Sequence, residues 1–171
     1  MTGIRVDISE LKQRAARAER NYFGAFVRGK VFEHQWGRTL TEADNVLFTT
    51  LTLSYNPLYF DSTFAKAQGH PSVVLHPMLV FLTAFGLSVE DLSEAGGALL
   101  GIEKVRYLRH SYPGDTLRAH SIVVEARDSQ SHPDAGVVQW RTVGANQRGE
   151  DTVEFERTNL VPREPGDRGG R

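Results

Sequence analysis

The chain has 171 residues, with 20 Lys and Arg against 21 Asp and Glu, and no cysteine. This length fits one domain with its own core, and a net charge of −1 gives no basic surface for nucleic acid or an anionic membrane. The lack of cysteine excludes a disulfide framework and thiolate catalysis, and is typical of a cytoplasmic protein. No signal peptide or membrane span of roughly 20 apolar residues is recognisable, and nothing indicates a cofactor or metal.

Composition divides the chain into three parts. Residues 1–22 form a charged N-terminal extension in which Ser9 begins a helical pattern that runs to about Arg20. Residues 23–163 form the folded domain. Residues 164–171 contain only glycine, proline and charged side chains, so a flexible tail is expected there.

The domain begins with a strand expected at Val31–Leu40, with Gly37 at a bulge. A helix follows over Glu42–Leu53, where Thr41 and Asp44 form a variant of the capping box. An acid in the first turn of a helix is explained by capping and the helix dipole, so Asp44 is interpreted as a cap rather than as a catalytic acid.

A corner between two helices follows. The segment Ser54-Tyr55-Asn56-Pro57 ends the first helix, because proline lacks an amide donor and excludes the preceding residue from helical geometry. Asp61 then caps a short helix over Ser62–Ala67. A corner of this kind holds its side chains over whatever lies beneath it.

The most apolar stretch of the chain is His76–Val89. Proline is favoured at the first position of a helix, so Pro77 predicts a helix start with His76 as its cap. Because the stretch has no polar face, it predicts a helix surrounded by protein on nearly all sides.

The remainder predicts four strands, at about 98–110, 116–128, 136–146 and 152–160. One strand, an apolar helix and four further strands indicate an α+β fold, in which an antiparallel sheet wraps around a central helix. Such a sheet has an open edge, so we expect a homodimer.

Four motifs in one order resemble the MaoC-like dehydratases, or (R)-specific enoyl-CoA hydratases. The segment Ser54–Tyr59, with Ala65 beyond it, lies where that family has Asp-x-Asn-Pro-aliphatic-His and a small residue. Thr41–Asp44 resembles the family's helix entry, His76–Leu79 its His-Gly-Met-Leu, and Tyr112–Leu117 its Pro-Gly-Asp-Thr-Leu. The resemblance covers nearly the whole chain and implies a single hotdog fold, with an acyl-thioester channel along the dimer interface.

The resemblance also identifies candidate catalytic residues. The family's catalytic Asp falls on Ser54 and its catalytic His on Tyr59, so the reagents differ from the family pattern. Tyr59 can donate a proton but is a poor base, and Ser54 needs a neighbour to activate it. His76 begins the central helix and is the candidate base or orienting group.

Substrate-binding candidates follow from the same resemblance. The family stabilises the enolate oxygen with backbone amides at the start of the central helix. Pro77 has no amide hydrogen, which leaves those of Met78 and Leu79. Asn56 is a further candidate, although bracing the turn explains it better.

Two strand arginines complete the set of candidates. Arg106 and Arg109 precede the Tyr112 turn and could bind an acyl carboxylate or a CoA phosphate. Solvated strand arginines are the alternative.

Three functions remain open from the sequence. The favoured one is hydration or dehydration of an acyl thioester, carried by CoA or by a carrier protein, with an altered acid–base set. The second is a repurposed hotdog enzyme that catalyses isomerisation, elimination or cyclisation. The third is a non-catalytic thioester-binding subunit that pairs with an active chain.

Overall fold

The structure is a computed structural model that describes residues 21–166. The helix expected between Ser9 and Arg20 lies outside the described residues, as does most of the expected tail. The strands are β1 (Val31–Glu33), β2 (Arg38–Thr39), β3 (Leu99–Tyr107), β4 (Thr116–Asp128), β5 (Ala135–Ala145) and β6 (Asp151–Pro162). The helices are α1 (Glu42–Leu51), α2 (Ser62–Ala67), α3 (Pro77–Leu87) and α4 (Val89–Ser93), and short 3₁₀ turns cover Phe23–Ala25 and Pro57–Tyr59.

The sheet is antiparallel throughout, in the order β1-β4-β5-β6-β3, and β2 pairs with the start of β4. The four long strands confirm the sequence prediction to within three residues at each end. The buried residues that alternate along β4, β5 and β6 form the core side of the sheet, and α3 packs on these three strands. The expected α+β fold is therefore confirmed.

The first strand differs from the prediction. A continuous strand over Val31–Leu40 is wrong, because β1 and β2 are separate. Glu33 pairs with His120 and Arg38 pairs with Leu117. The chain therefore advances five residues from β1 to β2 while the paired strand β4 spans only three. The two extra residues bulge out of the ladder, and His34 turns inward to the buried hydroxyl of Ser121.

The core lies between the sheet and α3. Val80, Phe81 and Ala84 occupy the buried side of the helix and pack against β4 and β6. Gly144 on β5 permits this approach, because a Cβ there would lie 2.9 Å from the Cβ of Ala84. Helix and sheet therefore pack more closely than a side chain at position 144 allows.

The prediction that the central helix is enclosed on nearly all sides is wrong for the single chain. Met78 is 43% exposed and Leu82 is 46% exposed, and both lie on the side of α3 that faces away from the sheet. All nine residues of β3, at the edge of the sheet, are exposed as well. The sheet covers only part of the helix surface, which leaves an apolar stripe and an unpaired edge. None of the helices within residues 21–166 has the length and apolarity that a bilayer crossing requires.

Candidate active site

The corner after α1 is built by local backbone geometry. The helix ends at Leu51 rather than Leu53, because Leu53 has a left-handed backbone with φ of 55°. The Asn56 side chain accepts a hydrogen bond from the Leu58 amide, which caps the 3₁₀ turn over Pro57–Tyr59. Asn56 thus braces the turn, as expected, and the Asp61 carboxylate caps α2, also as expected.

His76 lies beneath this corner and caps α3. Its Nδ1 accepts a hydrogen bond from the Met78 amide at 3.1 Å, and its Nε2 lies 2.9 Å from the Ser54 hydroxyl oxygen. An acceptor nitrogen carries no proton, so the neutral ring is protonated on Nε2 and donates to Ser54. Burial lowers the pKa of His76, which favours this neutral form.

Tyr59 completes the group. Its ring centroid lies 4.6 Å from that of His76, so Ser54, Tyr59 and His76 come together as predicted from the sequence. Across from them the Tyr107 hydroxyl donates to the Met78 sulfur at 3.0 Å. Burial and the neighbouring Tyr59 raise the pKa of Tyr107, which keeps its hydroxyl protonated at neutral pH.

A buried amide, not identified from the sequence, holds these residues in place. Asn45 on α1 is fully buried, and its side-chain nitrogen donates to the carbonyls of Tyr59 at 2.6 Å and Val74 at 3.0 Å. Its side-chain oxygen accepts the His76 amide at 2.7 Å. One side chain therefore ties α1 to the backbones of both Tyr59 and His76. A lone amide on the buried face of α1 is the signal that could have revealed it.

A pocket of about 230 Å³ opens beside this group. It lies between the corner, the start of α3 and the end of β3, and its size suits a short acyl chain. Its lining residues are Leu58, Tyr59, Val74, Leu75, Pro77, Val80, Tyr107, Leu108, Arg109, His110, Ser111 and Thr152.

The backbone amides expected to stabilise an enolate are occupied by internal partners. The Met78 amide donates to the His76 ring, and the Leu79 amide donates to the His76 carbonyl at 2.9 Å. A thioester oxygen that used the Met78 amide would have to displace the imidazole. Met78 and Leu79 are therefore not free donors in this structure.

The two candidate arginines lie in different surface features of the protein. Arg109 lines the pocket and forms an ion pair with Glu150, with 3.6 Å between its Nη1 and the carboxylate. Arg106 forms an ion pair with Glu154 at 2.7 Å and lines a different surface groove, with Lys104 and Arg141. The structure thus keeps Arg109 as a site residue and removes Arg106 from the pocket.

The remaining acid of interest has a structural role. Asp44 accepts hydrogen bonds from the amide and hydroxyl of Thr41, which hold its pKa below the usual range, and Arg38 pairs with it. The capping box expected at this helix start is confirmed.

A second cluster has the connectivity of a Ser-His-Asp triad. His34 Nδ1 lies 2.6 Å from the Asp91 carboxylate, and its Nε2 lies 2.8 Å from the Ser121 hydroxyl. Ser121 is fully buried and also bonds Thr142 at 2.7 Å, so no substrate can reach it. The cluster instead links the residue after β1 to α4 and β4. Within the described part of the chain, no three His, Asp or Glu residues are grouped to hold a metal.

Comparison with known proteins identifies relatives. A family model described as mesaconyl-CoA hydratase matches residues 5–170. The mesaconyl-CoA hydratase of Haloarcula hispanica is 33% identical over 156 residues, which cover 91% of this chain and 44% of that protein. A MaoC domain protein dehydratase from Chloroflexus aurantiacus superposes with a TM-score of 0.82 at 34% identity, covering 90% of this chain and 44% of that chain. A Mycobacterium tuberculosis protein with a double hotdog fold superposes with a TM-score of 0.75 at 25% identity, covering 88% and 47%.

The fold and the site therefore define a hotdog protein of the MaoC-like hydratase class, which confirms the resemblance seen in the sequence. More specifically, the chain belongs to the mesaconyl-CoA hydratase family. It spans less than half, 44%, of the length of the Haloarcula hispanica relative.

Proposed function

We propose that this chain is a hydro-lyase that adds water to, or removes it from, an enoyl thioester of CoA. The observation that carries the proposal is the group of Ser54, Tyr59 and His76, of which Tyr59 lines an acyl-sized pocket. The names of the relatives support the same reaction class, since they are a mesaconyl-CoA hydratase and a MaoC domain dehydratase.

Hydration forms a C–O bond at the β-carbon and a C–H bond at the α-carbon, and charge develops on the thioester oxygen between the two steps. In the proposed roles, Tyr59 relays one proton. Its hydroxyl donates to the α-carbon, and its oxygen takes the proton that water loses as the C–O bond forms, so Tyr59 ends the reaction unchanged. The His76 Nε2–H holds the Ser54 oxygen, which leaves the Ser54 hydroxyl hydrogen free to orient water or substrate. Because both His76 nitrogens are engaged, it acts as an orienting group rather than as the base.

We further propose that two copies of the chain form a homodimer in the cytoplasm. The exposed edge of β3 and the exposed stripe of α3 at Met78 and Leu82 are the surfaces that a second copy would cover. Two copies would also match the doubled length of the relatives. Light scattering should give twice the 19.1 kDa chain mass, and a monomer at micromolar concentration would contradict the proposal.

The proposed role of Tyr59 as the acid is tested by removing its hydroxyl. Tyr59→Phe keeps the ring against His76 and removes only the oxygen, so the rate on a CoA enoyl thioester should fall at least about tenfold. Tyr55→Phe is the matched control, because Tyr55 lies on the same corner but is 70% exposed, and its rate should not change. Equal rates for the wild type and Tyr59→Phe would remove Tyr59 from the chemistry.

The channel itself is tested by restoring the residues of the wider family. The double variant Ser54→Asp with Tyr59→His should create or raise hydration of crotonyl-CoA, because the scaffold around both positions is retained. No gain in the double variant, together with a silent Tyr59→Phe, would overturn thioester hydration as the use of this pocket.

Two observations favour a second function. Ser and Tyr replace the Asp and His of the wider family, and the chain matches only part of its relatives. A non-catalytic subunit that binds a thioester and pairs with an active MaoC-like chain fits both facts. It predicts that purified protein binds acyl-CoA with no hydration, and that activity appears only in the mixed assembly.

A further inference from the structure

The proposed reaction places negative charge on the thioester oxygen, but the first turn of α3 has no backbone donor to spare for it. The Met78 amide donates to the His76 ring, and the amides of Leu79 and Val80 donate to the His76 carbonyl. Pro77 has no amide hydrogen. If the pocket stabilises an enolate, the hydrogen bond to its oxygen must come from a side chain.

Several side-chain donors in the pocket are already committed. Thr152 donates to the Gly144 carbonyl at 2.9 Å, and Arg109 forms an ion pair with Glu150. The Ser111 hydroxyl oxygen has almost no accessible surface, so a ligand cannot reach it. These three residues line the pocket without offering a donor to the thioester oxygen.

Besides Tyr59, two further donors line the pocket, His110 and Tyr107. His110 is exposed, and its ring lies edge-on to that of His70 with 5.1 Å between the centroids. The Tyr107 hydroxyl donates to the Met78 sulfur at 3.0 Å. A thioether is a weak acceptor, so the phenol gains free energy when it exchanges this bond for one to a negatively charged oxygen.

The position and protonation of Tyr107 both suit this exchange. Its hydroxyl contacts Met78 in the first turn of α3, the same turn whose amides are engaged. Burial and the neighbouring Tyr59 raise the pKa of Tyr107, so it keeps its proton as charge develops beside it. Tyr107 is therefore suited to donate a hydrogen bond rather than to transfer a proton.

We infer that Tyr107 is a catalytic residue of the proposed reaction, whose hydroxyl donates a hydrogen bond to the thioester oxygen of the substrate. The hydroxyl leaves the Met78 sulfur, keeps its proton and forms no covalent bond, so the proton relay through Tyr59 is unaltered. The inference rests on the proposed function and supplies the donor for the enolate oxygen that the helix amides do not provide.

The first test removes this hydroxyl. Tyr107→Phe takes one oxygen from a side chain that is 46% exposed, so the fold is retained. The kcat for hydration of a CoA enoyl thioester should fall about 10- to 100-fold with KM nearly unchanged, because the hydrogen bond strengthens as charge develops. Tyr22→Phe is the matched control, because Tyr22 is also partly exposed but lies outside the pocket, and its kcat should not change.

A second variant separates catalysis from a purely structural contact. Met78→Leu removes the sulfur that holds the Tyr107 hydroxyl and keeps the backbone amide at that position. A catalytic hydroxyl loses only its resting partner, so kcat should fall less in Met78→Leu than in Tyr107→Phe. Equal losses in the two variants would mean that the contact with sulfur is what matters, and would overturn the inference.

A third measurement does not depend on turnover. Butanoyl-CoA is saturated and cannot be hydrated, and its carbonyl stretching frequency falls when the oxygen accepts a hydrogen bond. With the carbonyl carbon isotopically labelled, infrared difference spectra should show a lower frequency in the wild-type complex than in the Tyr107→Phe complex. His110→Gln should keep the wild-type frequency.

Two spectroscopic outcomes would overturn the inference: equal frequencies in the wild type and Tyr107→Phe, or a shift that is lost in His110→Gln instead. A fall in kcat with no change in frequency would do the same, because Tyr107 would then act elsewhere than on the thioester oxygen. A lower frequency in the wild type without any enoyl hydration would keep the donor and remove only the proposed reaction. If butanoyl-CoA does not bind, the donor and the acyl pocket fail together.

Discussion

The two ends of α3 are satisfied by different kinds of side chain. The N-terminal end carries a neutral imidazole, a serine hydroxyl and a buried amide, and it opens into a pocket. The C-terminal end is closed by a cation, because the fully buried Arg157 donates to the Ser88 carbonyl at 3.3 Å. Both ends satisfy the helix, and the pocket that Tyr59 lines opens at the N-terminal end.

Arg157 is held mainly by aromatic faces. Its guanidinium carbon lies 4.7 Å from the ring centroid of Phe85 and 5.3 Å from that of Trp140. Burial lowers its pKa to about 10, so the side chain remains charged at neutral pH. A positive charge at a helix C-terminus is favourable, although Nε and Nη1 have no partner among the described residues.

The difference assigns the C-terminal end of α3 to stability and its N-terminal end to ligand binding. A cation at the N-terminal end would oppose the positive pole of the dipole, whereas the neutral His76 satisfies the Met78 amide there without adding a charge. Changes at Arg157 should therefore alter stability alone, and changes around His76 should alter ligand chemistry as well.

The largest expected effect is at the closed end. Arg157→Ala leaves a cavity between Phe85 and Trp140 and exposes no new ligand site, so it should lower the free energy of unfolding by about 3–5 kcal/mol in urea. The protein that remains folded should bind acyl-CoA with wild-type affinity. A change in that affinity would break the proposed division between the two ends.

Arg157→Met is the matched variant, because it keeps most of the volume and removes the charge. Replacing a buried charge by an apolar side chain is often neutral or stabilising, so the loss should stay below about 1 kcal/mol. A loss as large as that of Arg157→Ala would mean that the bond to the Ser88 carbonyl, rather than packing, is what stabilises this end.

The sequence predicts the open end better than the closed one. Proline at the first helical position and a histidine before it predict the start of α3, and local chemistry alone determines such a cap. Family motifs then bring Ser54, Tyr59 and His76 together. Arg157 is missed because strand arginines are usually solvated, although the alternation with Val153 and Phe155 faces it inward.

Other misses arise from contacts between distant parts of the chain. Tyr107 is 29 residues from Met78, whose sulfur accepts its hydroxyl, and no local pattern relates the two. The exposed stripe of α3 was missed because an apolar helix predicts burial but cannot tell whether its own chain or a second copy supplies the cover. Asn45 was missed because its three partners lie in separate segments.

A smaller effect on stability, with an added effect on function, is expected at the open end. Asn45→Ala leaves the Tyr59 and Val74 carbonyls and the His76 amide without their partner, which should cost about 1–3 kcal/mol. Unlike Arg157→Ala, it should also weaken acyl-CoA binding in the folded protein, because Tyr59 and His76 lose their common anchor.

Thr49→Ser is the control for Asn45→Ala. Thr49 is buried one turn further along α1, and its hydroxyl bonds only the Val46 carbonyl of its own helix. Calorimetry on both variants should find weaker binding for Asn45→Ala alone. If both variants bind equally well, Asn45 is a stability residue and does not position the site.

The smallest expected effect is the response of the open end to pH. Because burial lowers the folded-state pKa of His76 below its ordinary value of 6.5, the unfolded chain binds more protons between those two values. The contribution of His76 to the free energy of unfolding is therefore complete above pH 6.5 and is lost as the pH falls through the folded pKa. Ligand binding should weaken over the same window, because a proton on Nδ1 removes the acceptor for the Met78 amide.

This is checked by an NMR pH titration of the His76 ring and by acyl-CoA affinity measured at the same pH values, with His132→Gln as a surface control. In His76→Gln, the weakening of ligand binding at low pH should disappear. If it persists, another group causes the pH response.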